Sequence, residues 1–154
     1  MTRWLRRIAL TFVIILAVIQ VFPAERTNPS TDPVRTLHAQ VPASTAASAV
    51  IDRSCRDCHS HQTTWPWYSR VAPVSWMVAH DVTEGRRAVN FSDWASYSVD
   101  RQRKLLREAC EAVSEGEMPM WAYTLIHRDA RLEAQDVSAI CGLTRRDETV
   151  APGS

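Results

Sequence analysis

Glycine and lysine are scarce in this chain, patterned strands are nearly absent, and each shortage closes off a class of protein. Only 4 of 154 residues are glycine, and no glycine-rich loop of the kind that cradles a phosphate precedes a helix. Lys104 is the single lysine, and beyond residue 22 the chain holds 15 basic against 17 acidic side chains. A formal net charge of +1 therefore hides a slightly acidic domain, which argues against nucleic acid as a partner. There is no internal repeat, and period-two alternation is nearly missing, so the fold class reads as all-α. No nucleophile, base and orienting group stand together, and no acidic cluster suggests a metal, so no residue is assigned a catalytic role.

Cysteine is also sparse, at four residues, but two of them stand in a pentad. Cys55, Arg56, Asp57, Cys58 and His59 read C-x-x-C-H, the attachment signature for c-type haem. The spacing suits the chemistry. Two thiols must reach two vinyl groups of one porphyrin while an imidazole reaches the iron from one face, and a helical turn puts positions i, i+3 and i+4 on the same side. His59 is then the proximal ligand. A zinc site on Cys55, Cys58 and His59 or His61 is an alternative, though no second ligand pair accompanies it; a C-x-x-C redox pair is another, without the βαβ pattern it expects.

Ile8 to Phe22 is an apolar run preceded by Arg3, Arg6 and Arg7, the form of a segment read by the export machinery. Val21, Phe22, Pro23 and Ala24 make a poor small-x-small cleavage site, so residues 1–22 read as an uncleaved anchor rather than a removed signal peptide. Either way the rest of the chain leaves the cytoplasm. Residues 23–43 carry four of the eight prolines and read as an extended tether. The domain, residues 44–146, is expected to hold about four helices. The first follows Ser44 as N-cap, with Ala47, Val50, Ile51, Ser54, Cys55 and Cys58 on one face and the pentad at its C-terminal end. The second starts near Pro73, with Val74, Met77, Val78 and Val82 inward; the third starts at Ser98, with Leu105, Leu106, Ala109, Cys110 and Val113 as its stripe; the fourth covers Leu132 to Leu143. Residues 147–154 form a tail.

The residues resemble a family: the haem-binding domain of small membrane-anchored bacterial proteins, related to monohaem cytochromes c. The blocks that carry the likeness are Cys55-Arg56-Asp57-Cys58-His59-Ser60, Trp65-Pro66-Trp67-Tyr68-Ser69, Ala72-Pro73-Val74-Ser75-Trp76, Asn90-Phe91-Ser92-Asp93-Trp94, Gly116-Glu117-Met118-Pro119 and Tyr123-Thr124-Leu125-Ile126-His127. Pro23 to Pro29 resembles that family's junction after the anchor. The resemblance implies covalent haem c, a small cytochrome c-like helical fold around it, and export; it names a cofactor better than a task.

For the sixth iron position the choice is Met118, because Pro119 forces the residue before it out of helical geometry and onto a loop after the third helix. Met120, His80 and His127 compete for the role, and Met77 reads as core. Trp65, Trp67, Tyr68 and Trp76 are candidate pocket walls for a flat apolar macrocycle, with Trp94, Trp121 and Tyr123 as further aromatics. Arg70, Arg86 and Arg87 are candidates for the haem propionates. Cys110 and Cys141, both on apolar helix faces in an oxidising compartment, can form a disulfide. The expected task is electron transfer with an unidentified redox partner, after attachment by the c-type haem maturation machinery. A haem sensor or peroxidase-like protein with an open sixth position and a structural zinc module are the alternatives.

Overall fold

Side-chain caps fix where the long helices begin. Ser44 Oγ accepts from the Ala47 N–H at 3.1 Å and Ser98 Oγ from that of Arg101 at 3.3 Å, each satisfying a backbone donor that the first helical turn leaves unpaired. A computed structural model describes residues 2–150, with side chains to Thr144. Its regular structure is all helical: α1 Thr2–Ile19, α2 Leu37–Gln40, α3 Thr45–Ser54, α4 Arg56–His59, α5 Val74–Ala88, α6 Val99–Ser114, α7 Trp121–Ile126 and α8 Ala134–Val150, joined by short 3-10 turns. The four helices expected from periodicity are α3, α5, α6 and α8. The added α2, α4 and α7 span 4, 4 and 6 residues, too short to show a period. Of the expected tail, 147–154, the first four residues belong to α8 and the rest lie outside the described residues.

The core forms where α3, α6 and α8 pack together, around Val50, Ile51, Leu105, Leu106, Val113, Ile140 and Leu143, closed by Trp94 from the 3-10 turn Phe91–Ser96. Cys110 and Cys141 are bonded across α6 and α8, their Cα atoms 4.7 Å apart. Arg53 of α3 reaches Asp136 of α8 at 2.6 Å.

Three expectations need correction. The tether is not extended chain: Leu37 and Val41 are 2% and 8% exposed and belong to the core. Nor is the stretch before it loose. Gln20 bonds both the N–H and the carbonyl of Ala72 at 3.0 Å, Trp76 Nε1 donates to Phe22 O at 2.8 Å, and Arg26 donates to Ser69 O at 2.8 Å. Proline-rich spacing hid these contacts because they depend on tertiary neighbours. Second, among the described residues no helix is long and apolar enough to cross a membrane. The 18 residues of α1 rise about 27 Å at 1.5 Å each, and the first turns carry three arginines, against a hydrocarbon core of about 30 Å. Third, α5 buries Ser75 and Val82, while Val74 and Met77 are exposed; Met77 is therefore not core.

Candidate haem-attachment site

The pentad does not continue α3. Cys55 has φ −125° and ψ −36°, ends α3 and opens α4, so the chain kinks at the first cysteine. The turn that follows is held by the Cys58 and His59 N–H groups, which donate to Cys55 O at 3.3 and 3.0 Å. Cys55 and Cys58 are free thiols, and His59 sits one residue on.

Helix α5 lies directly against this turn, and Gly85 is the reason it can. A Cβ there would stand 2.5 Å from the Cys58 carbonyl oxygen, well inside van der Waals contact. The close approach delivers the Gly85 carbonyl to His59 Nδ1 at 2.9 Å, with Val89 O at 3.3 Å. Carbonyls only accept, so Nδ1 carries the proton and Nε2 presents its lone pair, the tautomer a metal-binding histidine needs. Burial holds the imidazole below its ordinary pKa, against the pull of those two hydrogen bonds, and it is neutral. Phe91 packs on it, ring centroids 5.7 Å apart.

Burial pushes the Cys55 thiol up to about 12 and the Cys58 thiol up to about 11, each raised further by a neighbouring anionic group. A disulfide-exchange pair calls for the opposite shift, so the burial of both thiols gives no support to the redox C-x-x-C alternative, which also lacks a βαβ unit. The zinc alternative also lacks support: among the described residues no three His, Cys, Asp or Glu side chains converge on a point that could hold a metal. His61 is turned elsewhere, with its Nε2 accepting from Asn90 Nδ2 at 2.7 Å.

A polar cluster flanks Cys58. Asp57 accepts from the Thr64 N–H at 3.0 Å and from Tyr123 Oη at 3.2 Å. The Tyr123 ring stacks on His127, centroids 4.3 Å apart, and His127 Nε2 meets Tyr68 Oη at 2.6 Å. Both phenols titrate above their ordinary value, first because they are partly buried and then because Asp57 is near.

Tyr68 is thus next to the attachment turn, with Trp67, 76% exposed, edge-on to it. Trp65 and Trp76 use their indole N–H groups on the N-terminal segment, at Asn28 Oδ1 and Phe22 O. Trp94 is core, at 1% exposure. Met118 follows Gly116, whose φ of +74° turns the chain out of α6; Met118 N–H donates back to Ala112 O at 3.1 Å and its side chain is 38% exposed. His80 is exposed on α5, and the Nε2 of His127 is taken by Tyr68. Arg86 is no propionate partner: it donates to Ser60 O, Thr27 O, Asn28 Oδ1 and Thr63 Oγ1 at 2.7 to 3.0 Å. Arg87 pairs with Glu84, and Arg70 is exposed.

Gly85, Asp57 and Phe91 escaped sequence reasoning as functional positions. A lone glycine inside a helical pattern is a signal of close backbone approach, and it was legible for Gly85. Nothing in the sequence pairs Phe91 with His59.

The residues fit a haem. A neutral imidazole with a free Nε2 and two thiols share one turn, and Trp67, Met77, Trp121, Leu125 and Ile126 leave apolar surface exposed on nearby elements. No curated protein and no solved structure matches the chain. The family model for the haem-binding domain matches residues 14–145, spanning the pentad, α5, the Met118 loop and most of α8: the chain belongs to the haem-binding domain family.

Proposed function

We propose that this protein is a monohaem c-type electron carrier tethered to the bacterial membrane, with its domain on the periplasmic side. Cys55 and Cys58 would hold the haem through thioethers, His59 would bind the iron through Nε2, and Met118 would supply the second side-chain ligand. The carrying observation is the hydrogen bond from His59 Nδ1 to Gly85 O at 2.9 Å. It fixes the tautomer and orients the ring on the same turn as both thiols, and it raises the basicity of the ligating nitrogen. The haem supplies an iron able to cycle between ferrous and ferric states. The protein's own part is to orient the imidazole, to hold the thioether of Met118 on a loop braced by Gly116 and Ala112, and to surround the macrocycle with Trp67, Tyr68 and other aromatics.

Membrane tethering draws on α1, whose apolar side chains lie exposed from Ile8 onward. Arg3, Arg6 and Arg7 are long enough to reach headgroups while their stems lie along apolar surface. Attachment requires the c-type maturation machinery, and the redox partner is a protein or small carrier on the same side of the membrane.

The test is a reduced pyridine haemochrome spectrum on protein matured with a c-type system, followed by acid–acetone extraction. A c-type spectrum that survives extraction supports the proposal; haem lost to the solvent sinks covalent attachment. One observation favours the rival reading of an open or displaceable sixth position, as in a sensor or peroxidase: the 38% exposure of Met118. Met118→Ala separates the two. An electron carrier loses its low-spin spectrum and shifts in potential, whereas a site already open changes little.

A further inference from the structure

Beside the attachment turn a surface cavity of about 200 Å³ opens between the 31–38 segment and the α3–α4 kink, with Thr31, His38, Ile51, Arg56, Phe91 and Ser92 among its lining residues. Arg56 lines it; its Nε is buried without a hydrogen-bond partner, and the guanidinium makes no ion pair with any described residue. A guanidinium on a cavity wall with no ion pair keeps its terminal nitrogens free to take an acceptor. Asp52, also on the wall, is already engaged by His38 Nε2 at 3.1 Å. Ser92 Oγ accepts from the His61 N–H at 2.9 Å, which leaves the hydroxyl hydrogen free to donate. Ile51, 3% exposed, and the Phe91 ring form an apolar floor.

That acceptor is not a haem propionate. On the attachment proposed above, Arg56 stands between the two cysteines that would take the vinyl side of the macrocycle, whose propionates leave its opposite edge. The volume also falls below the roughly 300–1,000 Å³ of pockets that hold drug-sized ligands, which excludes a porphyrin.

We propose that this cavity binds a small organic carboxylate with a compact apolar body. The Arg56 fork takes the carboxylate in two-point fashion, Ser92 donates to it, and Ile51 and Phe91 receive the body. Since the Phe91 ring packs against that of His59, the bound acid lies one ring from the imidazole.

Benzoate is the probe, titrated by calorimetry into the full-length protein in detergent, with benzyl alcohol as the uncharged analogue and the Ile51 methyl resonances reporting position. The expected result is saturable one-site binding of benzoate that shifts the Ile51 methyls, at least about tenfold tighter than benzyl alcohol, and weakened about tenfold or more by Arg56→Gln with partial recovery in Arg56→Lys. Equal affinity for benzoate and benzyl alcohol, no saturation with benzoate, or saturation without movement of Ile51 each overturns the proposal, and all three are read on the wild-type protein. Undiminished binding in a folded Arg56→Gln variant overturns it as well.

Discussion

At the scale of single residues the site turns on atoms that are absent. Gly85 has no Cβ, and that absence lets α5 approach close enough for its carbonyl to reach His59. In an exposed helix interior Ala would stabilise relative to Gly by about 1 kcal/mol. Here the added carbon meets backbone at 2.5 Å, which cannot rotate away. Gly85→Ala is therefore expected to destabilise by roughly 1–3 kcal/mol and to lower the yield of attached haem, measured by urea unfolding and haemochrome absorbance. A stabilised variant would show that α5 does not press on Cys58.

Elements owe their placement to contacts that cross long stretches of chain. The proline-rich segment is anchored by Leu37, which is buried in the cluster of α3, α6 and α8. Leu37→Ala is expected to cost roughly 2–4 kcal/mol; a cost below about 0.5 kcal/mol in urea unfolding, the range of surface changes, would restore the view of this segment as a tether. Between α3 and α8, the Asp136 carboxyl is held below the ordinary carboxylate range first by the Glu133 N–H and then by the Arg53 guanidinium. A depressed folded value contributes stability that is present above the unfolded value of about 3.9 and is lost as pH falls through the folded one. Asp136→Asn is thus expected to lose about 0.5–1 kcal/mol at neutral pH, with the gap to wild type closing as the pH drops below about 4. Urea midpoints at pH 7 and pH 3 check this, and a gap unchanged with pH would place the effect in the geometry of the cap rather than in charge.

For the molecule as a whole, a small domain is asked to hold a large flat cofactor, and the disulfide between α6 and α8 limits how far the core can open. It closes a loop across a sequence separation of 31, for which chain entropy gives about 3.7 kcal/mol. Replacing Cys110 and Cys141 together with Ser is expected to lower stability by that order while leaving the haemochrome spectrum intact, read by thermal unfolding and absorbance. Lost attachment in a folded double variant would mean that the bond shapes the haem site itself.

Much of this architecture was legible in the order of residues. The helical class, the starts at Ser44, Ser98 and Pro73 and the pentad follow from local rules: caps act within one turn, periodicity reports a buried face, and C-x-x-C-H spacing is set by the covalent reach of thiols and imidazole. Where a residue's meaning depends on a distant partner, sequence alone was silent or misleading. Arg86 looked like a propionate ligand until Thr27, Asn28 and Ser60 took its donors, and Met77 looked like core until α5 turned Ser75 and Val82 inward.

The sequence by itself determined the long helices, the caps at Ser44 and Ser98 and the three side chains of the attachment turn, because these depend on neighbours within about four positions along the chain. Only the tertiary structure decided which carbonyl fixes the His59 tautomer, which segment closes the core and that Arg56 Nε is buried without a partner. Those choices rest on the packing of α5 and residues 20–41 against the domain, contacts between groups far apart in sequence that no local periodicity encodes.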